Sequence, residues 1–309
     1  QILVTEPTPQ AGYKYLMDFD YLATALGGSD EQESNERMDL GVASSLIQEP
    51  SSNWTIGASR DFAGFDKRTT HRTLAHLADR AAECMPTGDQ PGEAVFGERP
   101  TLGPLFGPML EGNFAPFFER EILPTLAIYR EMDEREGLVV DLGCGNGWYL
   151  RRMAARYPHL RGLGLDPGEQ AAEQARQLAA ADNLGDRLDF KVGDIEHFPT
   201  HEPVDLIALN RALHHLWGET EDVFGRLYRY LRPGGGVVVW EPHWPAHRQA
   251  LRQPRRQGMA LQNLMEHVQG NRFLRPDEIV AAMETAGFAT EVHTFAEDSE
   301  AVIVGRRPA

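Results

Sequence analysis

Val139-Val140-Asp141-Leu142-Gly143-Cys144-Gly145-Asn146-Gly147 is the stretch that decides the fold. An apolar run ends on an acid, the chain turns through three glycines, and an amphipathic pattern opens at Trp148. Glycine lets the backbone turn tightly and approach a ligand more closely than a Cβ would allow. A plain strand–turn–helix connection is the competing reading. Downstream, β-rich runs alternate with helical spacing, the rhythm of a parallel sheet covered by helices. The pattern predicts strands over 138–142, 162–166, 188–192, 204–209 and 236–241, with helices over 148–157, 169–181 and 219–231. Beyond Glu241, Leu261, Leu264, Met265 and Val268 predict a helix over 254–269. A second helix is expected between Pro276 and Gly287, followed by an antiparallel hairpin over 288–295 and 301–306.

The first 120 residues lack this alternation and read as a mostly helical cap on a domain over 121–309. Tyr15, Phe19, Leu22 and Leu26 fall on one helical stripe that ends at Gly27-Gly28. Further helices are expected over 69–84 and 117–132, with a packed irregular segment at 86–116, where glycine and proline are dense. The aromatic surface of Tyr13, Tyr15, Phe19 and Tyr21 suits a lid over a planar or cationic ligand, or a face on which two copies pair.

The 309 residues carry 46 acidic and 30 basic side chains, a net charge of −16. So acidic a chain is poorly suited to track phosphate backbones, which excludes general nucleic-acid binding. No apolar run reaches the ~18–20 residues of a membrane span, and no basic leader opens the sequence. Two cysteines, Cys84 and Cys144, exclude a disulfide scaffold and a cysteine-rich zinc module. The expectation is a cytoplasmic protein. Arginine outnumbers lysine 27 to 3, a hint of a GC-rich bacterial genome, where natural-product tailoring enzymes are common.

The turn reads G-x-G-x-G, not the G-x-G-x-x-G of dinucleotide folds, and no G-x-x-x-x-G-K-[ST] phosphate cradle is present. Asp141, two residues before the first glycine, would be a poor neighbour for a pyrophosphate and a good one for an ammonium group. Asp166 ends the second strand 19 residues after Gly147, where a carboxylate can accept from both ribose hydroxyls. Asp194 follows the third strand in Val192-Gly193-Asp194-Ile195. With the later Leu231-Arg232-Pro233-Gly234-Gly235-Gly236 turn, this series resembles the class I S-adenosylmethionine-dependent methyltransferases of small-molecule type over residues 120–309. The resemblance implies a Rossmann-like, mainly parallel seven-stranded sheet with an antiparallel last strand. It implies S-adenosylmethionine as cofactor and S-adenosylhomocysteine as product. It places the cofactor on Asp141, Gly143, Cys144, Gly145, Asn146, Gly147, Asp166, Pro167, Asp194, Ile195 and Asn210, with Asp194 on the adenine amino group.

A sulfonium is already a good leaving group, so such an enzyme chiefly aligns nucleophile, methyl carbon and sulfur in a dry site. An oxygen nucleophile also needs its proton removed. Ligands of parallel α/β sheets bind beyond the carboxyl ends of strands, which turns attention to Asn210-Arg211-Ala212-Leu213-His214-His215-Leu216-Trp217. Histidine is a fit general base near neutrality. The segment resembles the Leu-His-Asp-Trp of small-molecule O-methyltransferases, which puts His214 on the catalytic position and His215 on the aspartate. His214 is thus a base, a pocket wall or a structural residue. After the fifth strand, Trp240-Glu241-Pro242-His243-Trp244 offers Glu241 or His243 as an alternative base. Tyr15, Tyr21, Trp148, Trp244, His243 and Arg248 are candidate substrate contacts, and the cluster Arg248, Arg252, Arg255 and Arg256 is either a site for a carboxylate or phosphate or a solvated helix face pairing with the acidic N-terminal region. No metal site is expected, because adjacent histidines point apart on a helix and no H-E-x-x-H accompanies them. The function read from the sequence is methyl transfer to a small organic acceptor. A nicotinamide oxidoreductase, a nucleic-acid or protein methyltransferase, and a methyltransferase-fold protein that only binds or catalyses another reaction are the alternatives; the glycine spacing and Asp194 speak against the first, and the net charge against a nucleic-acid substrate.

Overall fold

In a computed structural model of the chain, the described residues are 103–195, 202–218 and 222–309, with 3–4, 15–16, 43–48, 54–59, 77, 79–84, 87–92 and 94–97 before them. They fall into two compact units. The first comprises residues 1–105 and 247–270, and the second residues 106–246 and 271–309. The division departs from a boundary at 120. The segment 247–270 follows β-sheet residues in sequence but groups with the first unit.

The first unit contains two antiparallel strand pairs. β1 (Leu3–Val4) pairs with β2 (Tyr15–Leu16), and β3 (Ala43–Gln48) pairs with β4 (Trp54–Ser59). Tyr15 is therefore on a strand, not on the expected helix; an aromatic followed by leucine is at home in a pleated ladder. Phe19, Tyr21, Leu22 and Leu26 lie outside the described residues, and so does any helix through them. Helix α1 spans Ala94–Gly97.

Helix α2 (Gly103–Phe117) occupies what glycine and proline density marks as irregular. Pro108 and Pro116 lie inside it, and Phe118–Ile122 continues as a π-turn. Proline removes a ladder donor and crowds the preceding turn, a usual cause of local helix irregularity. Met109 and Ala115 within it and Phe118 just after it are nearly inaccessible, so packing holds the segment despite its prolines. The expected single helix over 117–132 is broken at Leu126, whose ψ of 108° is extended, into α3 (Leu123–Thr125) and α4 (Ala127–Glu134).

The second unit then follows the predicted alternation: β5 (Leu138–Leu142), α5 (Trp148–Arg156), β6 (Arg161–Asp166), α6 (Glu169–Ala181), β7 (Leu188–Val192), β8 (Val204–Asn210), α7 (Leu213–Leu216), α8 (Val223–Tyr230) and β9 (Leu231–Pro242). In the first unit, the 3₁₀ turn Arg248–Arg252 precedes α9 (Pro254–Val268). The second unit closes with α10 (Pro276–Thr285), β10 (Ala289–Phe295) and β11 (Glu300–Arg306).

The sheet runs β10-β11-β9-β8-β5-β6-β7. β9, β8, β5, β6 and β7 are mutually parallel, and β11 is antiparallel to both neighbours. This is the expected Rossmann-like, seven-stranded sheet. Strand order reverses between β5 and β8, and a crevice beyond their carboxyl ends is where open α/β sheets hold ligands. One face packs an aromatic cluster of Phe118, Tyr129, Trp148, Tyr149 and Trp240; the other packs aliphatic side chains such as Leu209, Leu213, Ile279 and Met283. No helix among the described residues is long and apolar enough to cross a membrane.

Candidate active site

The glycine turn is held by its own backbone from below. The Gly143 and Cys144 N–H groups donate to the Leu165 carbonyl at 2.8 and 3.1 Å, and the Gly147 N–H donates to Cys144 at 2.8 Å. Gly145 and Gly147 adopt φ of 53° and 74°, a region only glycine enters without strain. A Cβ at Gly147 would lie 2.5 Å from the Phe190 ring, whereas one at Gly145 would meet nothing within 4 Å. The turn thus presents open space at Gly145, with the start of α5 immediately behind it. That cradle, with acids on three strand ends, fits a cofactor bearing an ammonium and a ribose.

Asp166 reaches across to the turn: its Oδ2 accepts the Gly145 N–H at 2.9 Å and its Oδ1 accepts the Gly168 N–H at 2.8 Å. Gly193, past β7, donates to the Asp166 carbonyl at 3.1 Å, which sets Asp194 beside Asp166 on the neighbouring strand end. Pro167 is exposed, and Ile195 is buried in the aliphatic core.

Asp141 is 1% exposed, and the Asn210 amide donates to it at 3.4 Å. Burial pushes its carboxyl well above the usual carboxylate range, against the pull of Asn210 and with a smaller push from Asp166. Asn210 also hydrogen-bonds Tyr149, whose hydroxyl donates to Tyr129 at 2.9 Å. Beneath the turn, therefore, lies a buried polar chain from Tyr129 to Asp141. Trp148 belongs to the aromatic core, 6% exposed and 6.2 Å from Trp240.

Adjacent residues of a strand face opposite sides. On β9, Trp240 enters the aromatic core and Glu241, fully buried, faces α7. Glu241 Oε1 accepts the Leu213 N–H at 3.0 Å, and Oε2 bonds His214 Nδ1 at 2.8 Å. A carboxylate on Nδ1 fixes the neutral imidazole with its proton there and its lone pair on Nε2, the arrangement a general base requires. Glu241 therefore orients the histidine; it is not itself placed as an alternative base. Phe273 meets the His214 ring edge-on at 5.4 Å.

His215 Nδ1 accepts from the Asn271 amide at 2.8 Å. The two histidine rings lie 4.3 Å apart at 36°, so they do not point apart as expected. The reason is that α7 is a single turn and each ring is drawn by a different partner, Glu241 or Asn271. Arg211, with φ of 53° where a non-glycine is strained, bridges β8 to α7. Its guanidinium pairs with Glu300 at 2.8 Å and lies 4.1 Å over the Phe114 ring. Trp240 Nε1 also donates to Glu300 at 2.7 Å. Burial raises the Glu300 carboxyl, with Arg211 opposing it.

Of the other expected contacts, Trp244 lies 6.0 Å from Phe273, and His243 is half-buried with its N–H on the Ser299 carbonyl. Arg248 is exposed in the first unit, Tyr15 is on β2 of that unit, and Tyr21 lies outside the described residues. Sequence reasoning missed Asn271, Glu300 and Glu111. Glu111 receives the Asn146 amide at 2.8 Å. The i, i+4 spacing of Gly107 and Glu111 was a signal, hidden by the prolines around it.

Residues 139–235 match the family described as methyltransferase domain. The trans-aconitate 2-methyltransferase of Streptomyces coelicolor is 29% identical over 198 residues, 62% of this chain. The chain spans only 64% of that relative's length. Human N-acetylserotonin methyltransferase, solved with S-adenosylmethionine, superposes with a TM-score of 0.60 at 18% identity, covering 95% of this chain and 88% of that one. An O-methyltransferase of neocarzinostatin biosynthesis, solved with S-adenosyl-L-homocysteine and 1,4-dihydroxy-2-naphthoic acid, gives 0.59 at 19% identity, covering 94% and 89%. At such identities these two show likeness of fold. The glycine turn and its strand-end acids lie inside the matched segment, and residues 139–235 are similar to a methyltransferase domain set in the fold those solved enzymes share.

Proposed function

We propose that the chain methylates a small organic acceptor, a natural-product or metabolite intermediate, with His214 as general base when the acceptor is a hydroxyl. The carrying observation is the buried Glu241–His214 pair at 2.8 Å, which leaves the basic nitrogen on the far side of the ring. When bound, S-adenosylmethionine supplies an electrophilic methyl group on a sulfonium. Asp141 attracts its ammonium, Asp166 accepts from its ribose, and Asp194 accepts from its adenine amino group. Gly143, Cys144, Gly145, Asn146 and Gly147 form the cradle, and Pro167, Ile195 and Asn210 complete the walls. A small acceptor accords with the relatives, one acting on trans-aconitate by its name and one solved with a dihydroxynaphthoic acid.

Calorimetry should show S-adenosylhomocysteine binding with NAD far weaker. Release of S-adenosylhomocysteine on incubation with S-adenosylmethionine and a panel of hydroxy acids and phenols should identify the acceptor. Tighter binding of NAD, or cofactor binding with no transfer to any small acceptor, would overturn the proposal.

Affinity should also depend on pH. Burial raises the Asp141 carboxyl in the ligand-free protein, and an ammonium beside it favours the ionised form. Binding therefore releases a proton, and affinity weakens as pH falls through the raised value, by up to about tenfold per unit. The same burial makes Asp141 stabilising below the ordinary carboxylate range, an effect lost as pH rises through the raised value. Titrations in buffers of different ionisation enthalpy measure the released proton. Asp141→Asn should flatten the profile, and a profile unchanged by that substitution removes Asp141 from the ammonium site.

A further inference from the structure

We infer that Glu111 is a positioning residue for the cofactor turn, holding Asn146 and through it the backbone between Gly145 and Gly147. This rests on the reading of that turn as the cofactor cradle. Both glycines sit at positive φ and have little conformational preference of their own, so the turn's backbone hydrogen bonds need side-chain support to fix its shape. Asn146, between them, carries the side chain by which the rest of the protein can grip it. That side chain is 1% exposed. Its Oδ1 accepts the Trp148 N–H at 3.3 Å, and its Nδ2 donates to Glu111 Oε2 at 2.8 Å.

The grip comes from one face of α2. Gly107, one turn before Glu111, lies so close that a Cβ there would fall 2.6 Å from Asn146 Cβ and 3.1 Å from its backbone nitrogen. The Glu111 carboxylate is itself fixed: Arg151 donates to Oε2 at 2.6 Å and Arg152 to Oε1 at 2.7 Å. Arg151, 5% exposed, turns its other nitrogen to Asp182 at 2.7 Å. Two arginines on α5 thus aim an acceptor on α2 at the turn's one amide. Holding the turn in its bound shape before the cofactor arrives lowers the ordering cost of binding.

Three variants separate positioning from mere support of the fold. Glu111→Ala removes the acceptor of Asn146 and the charge that pairs the arginines. Glu111→Gln keeps an oxygen for Asn146 but loses the charge. Asp182→Asn disturbs Arg151 from the other side without touching Asn146. S-adenosylhomocysteine affinity is read by calorimetry and thermal unfolding is followed on the same samples.

Glu111→Ala should weaken affinity about tenfold, the scale of losing one buried charge-assisted hydrogen bond, while Glu111→Gln stays within about threefold of the parent. All three should unfold at lower temperature. Affinity that follows the oxygen facing Asn146, and not the melting temperature, supports positioning. Parent-like affinity in Glu111→Ala, or losses in all three that simply track destabilisation, overturns it and leaves the cofactor reading standing. A parent that fails to bind S-adenosylhomocysteine overturns both.

Discussion

Replacement of His214 by alanine should lower kcat at least ~10²-fold and leave S-adenosylhomocysteine affinity unchanged, because general-base catalysis is worth ~10²–10⁴-fold and acts only in the transition state. The parent's kcat should rise with pH through the imidazole's titration, since only the neutral ring accepts a proton. Glu241→Gln makes the stronger test. The Leu213 N–H needs an acceptor, so the new amide turns its oxygen there and its NH₂ toward His214 Nδ1. Nδ1 must then accept, which moves the ring proton to Nε2 and removes the base without removing the ring. That variant should lose activity on the scale of His214→Ala, and raising the pH should not restore it. His215→Ala, whose partner is Asn271, should lose clearly less. A His214→Ala enzyme that keeps most of its kcat would assign His214 to the pocket wall and leave catalysis to alignment alone.

Asp166→Ala should weaken S-adenosylhomocysteine binding by ~10–150-fold, or ~1.5–3 kcal/mol, the cost of leaving ribose hydroxyls without a charged acceptor. Its bonds to the Gly145 and Gly168 N–H groups place the variant at the upper part of that range, because alanine also frees the turn. Asp166→Asn should fall short of rescue: one side-chain oxygen becomes an NH₂ facing a backbone donor. Calorimetry with a parallel melting curve checks both, and parent-like binding by the alanine variant would show that this strand end does not hold the ribose.

The sheet was legible because its central strands are buried on both faces and read as largely apolar runs, as at Leu138–Leu142 and Val204–Asn210. The turn was legible because glycine spacing is a local property. Helix α2 was not: Pro104, Pro108 and Pro116 argue against a helix, and burial against the sheet outweighed them. Glu111 was lost with it. Tyr15 stands on a short strand pair instead, which helical spacing of apolar residues does not forbid. The role of Glu241 lay between. Its place at the carboxyl end of the fifth strand was evident, but that it reaches Nδ1 of His214 depends on which way β9 faces, a matter of packing across 27 residues of chain.

β9 sends Trp240 into one layer and Glu241 into the other, and that constrains how this protein can change over evolutionary time. Losing or gaining one residue between Val237 and Trp240 would exchange the two faces, driving a carboxylate into the aromatic layer and the indole toward α7. Point substitutions along the strand can be tested one at a time by selection; single-codon insertions or deletions there cannot. Changes of length are therefore channelled to segments outside the strand, such as the one that begins at His243, where they do not reverse the pleat.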